Sequence, residues 1–191
     1  MILSDSEMIK RIKSWNIGVE TNSKYDIIKQ VWPASLDFRL WNTFKYYRRK
    51  NNTVIDVKRW VDKKYVWISE LTESEAFILH PWDFILSSTL ERFKIPDDLV
   101  ARCEWRSSLW RLGLVIHSTA WFIDPWFEWT ITLEMTNINW IPLAIYPWMR
   151  IWQLAFETLL WKCEKPYHKR KWSKYMWQIV PEESRIHKDI H

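Results

Sequence analysis

One short segment of the chain concentrates side chains that can bind phosphate. Within residues 104–114, Arg106 and Arg111 bracket the pair Ser107 and Ser108. Guanidinium groups form two parallel hydrogen bonds to phosphate oxygens, and serine hydroxyls add short neutral ones. The segment therefore predicts an anion-binding loop. Two arginines on a solvated loop are the alternative interpretation.

A carboxylate further along the chain could act as an acid–base group. Residues 130–136 alternate between polar and apolar side chains, which predicts a strand with two different faces. The apolar face carries Ile131, Leu133 and Met135, and the polar face carries Thr130, Thr132, Glu134 and Thr136. Glu134 therefore points either into a polar pocket, where it could accept and return a proton, or into water.

Positive charge is concentrated near the end of the chain. The formal net charge is +5, and residues 162–174 carry six cations: Lys162, Lys165, Lys169, Arg170, Lys171 and Lys174. Such a cluster predicts contact with a polyanion, either nucleic acid or the triphosphate of a nucleotide. A solvated basic tail is the alternative interpretation.

The cysteines and histidines do not form a metal-binding pattern in the sequence. Cys103 and Cys163 lie far apart without a CxxC motif, and the five His form no ligand cluster. These spacings argue against a structural zinc site and against a disulfide framework.

The elements that must position these residues are strands. Ser4 and Glu7 form a capping box ahead of one short N-terminal helix. Apolar, strand-sized runs then recur between turn signals at 36–40, 53–57, 76–79, 84–86, 115–117, 130–135 and 151–156. Runs of this length with Pro-based turns predict an all-β antiparallel sandwich or barrel. Residues 165–191 are predicted to form a mobile C-terminal arm.

Composition predicts a single globular domain over 1–191. Hydrophobic residues make up 48% of the chain and charged residues 27%, which is typical of soluble proteins. No apolar run approaches the roughly 18 residues that a membrane span needs. The N-terminus lacks the pattern of a secretory signal, so the cytoplasm is the expected location.

Tryptophan and glycine occur in inverted proportions. The chain contains 17 Trp and 2 Gly, whereas roughly 7% Gly is usual. Trp82, Trp126 and Trp148 each follow Pro, where a type II turn needs a positive φ that glycine supplies. Trp15 stands where glycine ends a helix. UGA codons are read as stop, Trp or Gly in different genetic codes. We therefore hypothesise that most of these Trp codons mean Gly in the organism.

With Gly at the Trp positions, the chain resembles the dCTP deaminases of the trimeric dUTPase superfamily over nearly its whole length. The matching segments are MILSD at 1–5, PASLDFRL at 33–40, STLE at 88–91, LV at 99–100, RSSL at 106–109, RLGL at 111–114, IDP at 123–125, ITLE at 131–134, MRI at 149–151, QL at 153–154, PY at 166–167, KY at 174–175 and SRIHKD at 184–189. Eleven Trp stand where that family is expected to have Gly, at 32, 41, 82, 105, 110, 121, 126, 129, 148, 152 and 177.

This resemblance implies a fold, an assembly and a site. The expected fold is the distorted β-barrel of the dUTPase-like type, assembled as a homotrimer with active sites between subunits. Glu134, Ser107 and Arg111 are the expected catalytic residues. The expected substrate-binding residues are Arg106, Ser107, Ser108, Leu109, Trp110, Arg111, Asp124, Thr132, Leu133, Glu134, Gln153, Tyr167, Lys174 and Gln178. The arm would close over the nucleotide, and Mg²⁺ would arrive with the triphosphate of dCTP.

The resemblance also implies a deamination without zinc. Zinc-dependent nucleobase deaminases carry H-x-E and PCxxC motifs, which this sequence lacks. Glu134 would instead deprotonate the water that attacks C4 of cytosine. Ser107 and Arg111 would position that water and stabilise the developing charge.

The resemblance leaves two possible reaction products. Hydrolysis of dCTP to dUTP and ammonia is the main expectation, and a bifunctional enzyme forming dUMP, pyrophosphate and ammonia is the alternative. In the family, the two residues at the positions of Trp121 and Phe122 vary with the product that the enzyme releases.

Two further hypotheses concern other classes of function. One is a Trp-rich domain that stacks single-stranded nucleic acid, and the other is an inactive relative that binds partners. The joint presence of Glu134, Ser107 and Arg111 speaks against inactivity.

Overall fold

The N-terminal helix forms where the capping box predicts it. The structure, a computed structural model, describes residues 1–47, 54–116, 122–170, 173–175 and 177–188. Helix α1 spans Asp5–Lys13, and the Ser4 hydroxyl accepts a hydrogen bond from the Glu7 N–H. Met8 and Ile12, one turn apart, are buried against the barrel. A single apolar stripe therefore attaches this helix to the sheets.

The rest of the described chain is dominated by short strands. They are β1 (Gly18–Glu20), β2 (Val31–Trp32), β3 (Ser35–Arg39), β4 (Thr43–Tyr47), β5 (Val66–Glu70), β6 (Phe77–Leu79), β7 (Phe84–Ser88), β8 (Arg92–Lys94), β9 (Leu99–Glu104), β10 (Leu114–Ile116), β11 (Phe122–Ile123), β12 (Glu128–Trp129), β13 (Thr132–Asn137), β14 (Leu143–Ile145) and β15 (Arg150–Thr158). Helix α2 spans Ser107–Trp110, and four 3-10 turns lie at Ile27–Gln30, Lys63–Tyr65, Tyr167–Lys169 and Ile186–Lys188.

The strands pair antiparallel in four sheets of the described chain. Two five-stranded sheets have the orders β10-β13-β7-β4-β5 and β11-β9-β15-β3-β2. A three-stranded sheet, β1-β8-β12, and the pair β14-β6 complete the arrangement. Sequence neighbours are seldom sheet neighbours, so the barrel is held by long-range pairing. The all-β prediction with one short N-terminal helix is confirmed.

The core lies between the two five-stranded sheets. Alternating burial along β9 and β13 directs every second side chain inward. The largest fully buried side chains include Phe38, Phe44, Phe93, Trp152 and Phe156. Burial of apolar surface at this scale is the main stabilising contribution to the fold.

One predicted strand is wrong. In the described part of 53–57, which is 54–57, the chain forms no strand, and Val54, Ile55 and Val57 are exposed. The Asp56 carboxylate instead accepts a hydrogen bond from the Lys58 N–H, and its carbonyl accepts one from Arg59. A side chain that bonds the backbone two residues ahead favours a turn over a strand.

A buried polar cluster lies between β3 and β8. Glu91 is fully buried, with one carboxylate oxygen accepting from the Arg39 N–H at 2.8 Å and the other from Gln30 Nε2 at 3.3 Å. Burial raises the pKa of Glu91 to about 7, against the lowering effect of these hydrogen bonds and of the nearby Arg39 charge. Desolvation of the charged form therefore outweighs the partners.

No helix among the described residues is long and apolar enough to cross a membrane.

Candidate functional site

A cavity of about 350 Å³ opens between β13, β11 and the C-terminal segment. Its walls are mostly aliphatic and aromatic, with a few converging polar groups. It is lined by Tyr47, Phe84, Leu86, Cys103, Phe122, Ile123, Asp124, Phe127, Ile131, Thr132, Glu134, Tyr167, Tyr175, Gln178, Glu182 and Ser184. Concave, largely apolar sites with a few placed polar groups are typical of small-molecule binding.

Glu134 reaches this cavity because of the alternation along β13. Leu133 and Met135 point into the core and are fully buried, so the residue between them faces the opposite side. The prediction that the two faces of this strand differ is confirmed. Glu134 pairs across the sheet with Leu86 of β7, which also lines the cavity. A carboxylate thus stands in a wall that is largely apolar.

The cavity wall also contains a buried thiol. Cys103 is buried on β9, and this burial raises the pKa of the Cys103 thiol, as do the nearby charges of Glu104 and Glu134. Cys103 and Glu134 line the same cavity. Cys103 is consequently a neutral, inert wall residue.

Gln178 connects the C-terminal segment to β13. The Thr132 hydroxyl donates to Gln178 Oε1 at 2.9 Å, and the Thr130 hydroxyl donates to the Gln178 carbonyl at 2.6 Å. Gln178 is buried, and its Nε2 lacks a hydrogen-bond partner within the described part of the chain. A buried amide donor without an acceptor costs free energy, so this N–H₂ group is available to a ligand.

Asp124 and Phe122 form another side of the cavity. Phe122 pairs with Arg102 at the edge of its sheet, and its ring is largely exposed at the cavity mouth. Asp124 follows β11, and its carbonyl accepts from the Phe127 N–H in a turn through Pro125. Trp121, the other predicted product-determining residue, lies outside the described residues.

The C-terminal segment folds over the cavity of its own chain. The Tyr175 N–H donates to the Tyr167 hydroxyl at 3.2 Å, and the Arg185 N–H donates to the Tyr175 hydroxyl at 3.1 Å. Arg185 Nη1 donates to the Lys174 carbonyl at 2.5 Å. Tyr167, Tyr175 and Gln178 face the cavity, whereas the predicted ligand Lys174 does not line it.

The predicted phosphate ligands lie elsewhere on the chain. Ser107, Ser108 and Arg111 are exposed on or next to α2, a helical turn that the sequence did not predict. Trp110 stacks on Trp105 with ring centroids 4.5 Å apart. None of the residues 106–111 lines the cavity just described.

Arg106 and Gln153 attach the segment around α2 to neighbouring strands. Arg106 Nη1 donates to the Arg150 carbonyl at 2.9 Å, and its guanidinium lies 3.6 Å from the buried Asp37 carboxylate. Gln153 Nε2 donates to the Trp105 carbonyl at 3.0 Å, which ties β15 to the segment ahead of α2. Leu109 packs against the core beside these residues.

The structure therefore divides the predicted site into two groups. Phe122, Asp124, Thr132, Glu134, Tyr167 and Gln178 share one cavity, whereas Arg106, Ser107, Ser108, Leu109, Trp110, Arg111 and Gln153 lie outside it. Leu133 is a core residue, so only its backbone could contact a ligand. Sequence reasoning did not name the wall residues Tyr47, Glu182 and Ser184 as site residues, although Ser184 begins the matching segment 184–189.

The described residues hold no group of three or more His, Cys, Asp or Glu side chains placed to bind a metal ion.

Comparison with known proteins places the chain in one family. The family described as dCTP deaminase-like matches residues 2–159. A "dCTP deaminase, dUMP-forming" of Methanobrevibacter smithii is 47% identical over 190 residues, covering 98% of this chain and 96% of that protein. A "dCTP deaminase" of Natronomonas pharaonis is 42% identical over 195 residues, covering 99% of this chain and 96% of that protein.

A solved structure shares the fold. The 2'-deoxycytidine 5'-triphosphate deaminase from Agrobacterium tumefaciens has a TM-score of 0.63 and 21% identity, covering 82% of this chain and 48% of that one. This chain thus spans about half the length of that solved protein. The likeness supports the dUTPase-like β-fold that the sequence predicts.

Proposed function

Since this chain belongs to the dCTP deaminase-like family and is an enzyme of that type, we propose that it removes ammonia from dCTP by hydrolysis. The observation that carries the proposal is the convergence of Glu134, Asp124, Thr132 and Gln178 in one largely apolar cavity. Two carboxylates, a hydroxyl and an amide donor facing the same volume suit a polar base and its sugar.

Glu134 is the proton carrier of the proposed reaction. Its carboxylate takes a proton from water, and the resulting hydroxide attacks C4 of cytosine. The resulting carboxylic acid gives this proton to N3 of the tetrahedral adduct. The carboxylate then takes the remaining proton from the C4 hydroxyl group and passes it to the amino group, so that ammonia leaves and a uracil carbonyl remains. The apolar wall formed by Leu86, Phe84 and Ile131 favours this role, because a low-dielectric surrounding strengthens charge stabilisation inside the site.

Gln178 and Asp124 are the orienting residues. The Gln178 Nε2 group is buried without a partner in the described chain, so an acceptor on the nucleotide would satisfy it. The carboxylate of Asp124 accepts hydrogen bonds, which suits a sugar hydroxyl. Together they would hold C4 within reach of Glu134 and convert attack by water into a nearly intramolecular step.

The phosphate-binding half of the site would come from a neighbouring subunit. Ser107, Ser108 and Arg111 are exposed, and they lie outside the cavity that holds Glu134. A homotrimer that brings α2 of one chain to the cavity of the next would complete the site. The substrate would enter as the Mg²⁺ complex of dCTP, because Mg²⁺ binds phosphates more readily than a protein cage.

For the product we propose dUMP and pyrophosphate, formed by hydrolysis of the α–β phosphoanhydride after deamination. The "dUMP-forming" relative has the higher identity of the two relatives compared, 47% against 42%. Phe122 stands at the cavity mouth at a place that tracks the product in the family. Release of dUTP is the second candidate, and the name of the Natronomonas relative supports it.

The test measures ammonia and nucleotide products from Mg²⁺ and dCTP. Glu134→Gln keeps the side-chain shape but cannot accept a proton, so ammonia release should fall by about 10²–10⁴-fold while dCTP still binds. Glu73→Gln is the matched control, because Glu73 forms an exposed ion pair with Lys24 and neither residue lines the cavity. Residual activity of Glu134→Gln within tenfold of the parent would remove the carboxylate from this role. Ion exchange then separates dUMP with pyrophosphate from dUTP alone.

A further inference from the structure

Left-handed backbone conformations fall almost entirely on one residue type. Among the described residues, every non-glycine residue with positive φ is Trp: Trp15 (57°), Trp82 (64°), Trp126 (65°), Trp129 (113°), Trp148 (60°) and Trp177 (64°). Asn and Asp are the non-glycine residues that usually adopt this conformation, whereas a bulky side chain there is an outlier. The positive φ predicted at the three Pro-Trp turns is confirmed.

The backbone hydrogen bonds show that the fold demands these conformations. The N–H groups of Trp82, Trp126 and Trp148 donate to the carbonyls of Asn137, Ile95 and Leu40 at 2.7, 2.9 and 2.8 Å. These acceptors belong to distant segments of the chain. The turns are therefore fixed by tertiary pairing, and a side chain that disfavours them cannot relax them.

The turn type at two of these positions is the one that glycine suits. The Asp83 N–H donates to the His80 carbonyl, and the Phe127 N–H donates to the Asp124 carbonyl. Each bond closes a four-residue turn with Pro second and Trp third. Positive φ at the third position defines type II, where glycine is the usual residue.

The indole rings do not explain the conformations. Trp15, Trp82 and Trp177 are 68%, 60% and 59% exposed. Largely solvated rings contribute little burial free energy with which to compensate a strained backbone. Ring burial therefore does not account for Trp at positions 15, 82 and 177.

We propose that the native polypeptide carries glycine at positions 15, 82, 126, 129, 148 and 177, and that one codon, UGA, is read there as Gly by the organism. The positive φ values and the backbone hydrogen bonds support glycine at these positions without reference to the resemblance, and the codon is the one hypothesised from the sequence. The reassignment also bears on the site, because the Trp129 and Trp177 rings lie 5.5 Å apart beside the residues that attach the arm. A native arm would lack that aromatic contact.

Peptide mass spectrometry of protein from the native host decides the assignment. Glycine at all six positions is the expected result, with an intact mass well below the 23.6 kDa of the chain as written. Tryptophan at any of the six positions overturns the proposal. This measurement does not depend on how well the chain as written folds.

A pair of matched variants tests the physical reason. The double variant Trp15→Gly/Trp82→Gly should raise Tm by about 2–8 °C and increase the soluble yield, because it relieves two strained residues. The control Trp67→Gly/Trp161→Gly changes two Trp without positive φ that are 42% and 81% exposed. We expect the control to leave Tm unchanged or lower. An equal rise in both variants would overturn the structural argument.

A second inference concerns a buried ion pair beneath the C-terminal segment. Lys45 lies in β4, with only 11% of its side chain exposed, and its Nζ is 3.0 Å from Glu183 Oε1. Glu183 stands between Glu182 and Ser184, which line the cavity. Burial of the Tyr47 side chain raises its pKa, as does the charge of Glu183. The ion pair therefore lies next to residues of the cavity wall, although neither member lines the cavity itself.

We infer that the Lys45–Glu183 pair is the latch that seats the C-terminal arm over the cavity, so that both are positioning residues for the nucleotide. This inference rests on the proposed deamination of dCTP. Breaking a buried pair leaves one charge uncompensated, so the closed arm would be the state that loses stability. Loss of the ion pair should leave β4, which carries Lys45, paired with β5 and β7.

Kinetics and proteolysis test the latch separately. Lys45→Met and Glu183→Gln should each raise KM for dCTP about tenfold with little change in kcat, and should speed protease cleavage of the arm. The charge-reversed double variant Lys45→Glu/Glu183→Lys should restore both. Lys24→Met is the control, since it breaks an exposed pair with Glu73 at 2.8 Å. Unchanged cleavage in the two single variants would overturn the latch. If the parent lacks deaminase activity but the two single variants are still cleaved faster than the parent, the proposed function fails and the latch stands.

Discussion

The buried Glu91 should make the stability of this protein fall as pH rises through neutrality. Its pKa rises from 4.5 to about 7 on folding because burial disfavours the charged carboxylate. The folded state therefore holds an extra proton between these two values. The stabilising contribution is complete below pH 4.5 and is lost as pH rises through 7.

Replacement of Glu91 by Gln removes this titration. A shift from 4.5 to about 7 corresponds to about 3 kcal/mol, of which about 2–3 kcal/mol should be lost between pH 5 and 8. The amide also fits the cluster, because Gln30 Oε1 is buried without a hydrogen-bond partner in the described residues. If the Gln30 amide turns over, this oxygen can accept from the new N–H₂ group.

Urea unfolding of the parent and of Glu91→Gln at pH 5 and pH 8 measures the effect. The free energy of unfolding of the variant minus that of the parent should be larger by about 2–3 kcal/mol at pH 8 than at pH 5. Other carboxylates contribute equally to both proteins and cancel in the comparison. Parallel pH profiles for the two proteins would refute the assignment of a raised pKa to Glu91.

Three further outcomes follow from single residues. Gly113→Ala should lower the free energy of unfolding by about 1–3 kcal/mol, measured by urea denaturation, because Gly113 has a φ of +86° and a Cβ would lie 2.7 Å from that of Asn139. Cys103 should resist a thiol reagent at pH 8 until the protein is denatured, since its burial raises the thiol pKa, whereas the partly exposed Cys163 reacts first. Gln178→Ala should raise KM for dCTP about tenfold in steady-state assays, because it removes the unpartnered donor in the cavity.

The sequence by itself determined the local elements and the chemical groups. The capping box at Ser4 and Glu7 predicted α1, and the alternation along 130–136 predicted which side chains of β13 face outward; both are confirmed. These features depend on neighbours within a few residues, so the chain carries them locally. The same reasoning was wrong at 53–57, where alternation occurs without a partner strand.

Only the tertiary structure decided which of these groups meet. Glu134 and Gln178 share a cavity because β13 and the C-terminal segment pack together, although 44 residues separate them in the sequence. Ser107 and Arg111, much closer to Glu134 in the chain, lie outside that cavity. The burial that raises the pKa of Glu91 likewise comes from segments distant in sequence. Long-range strand pairing and desolvation are properties of the assembled barrel, and no short window of sequence contains them.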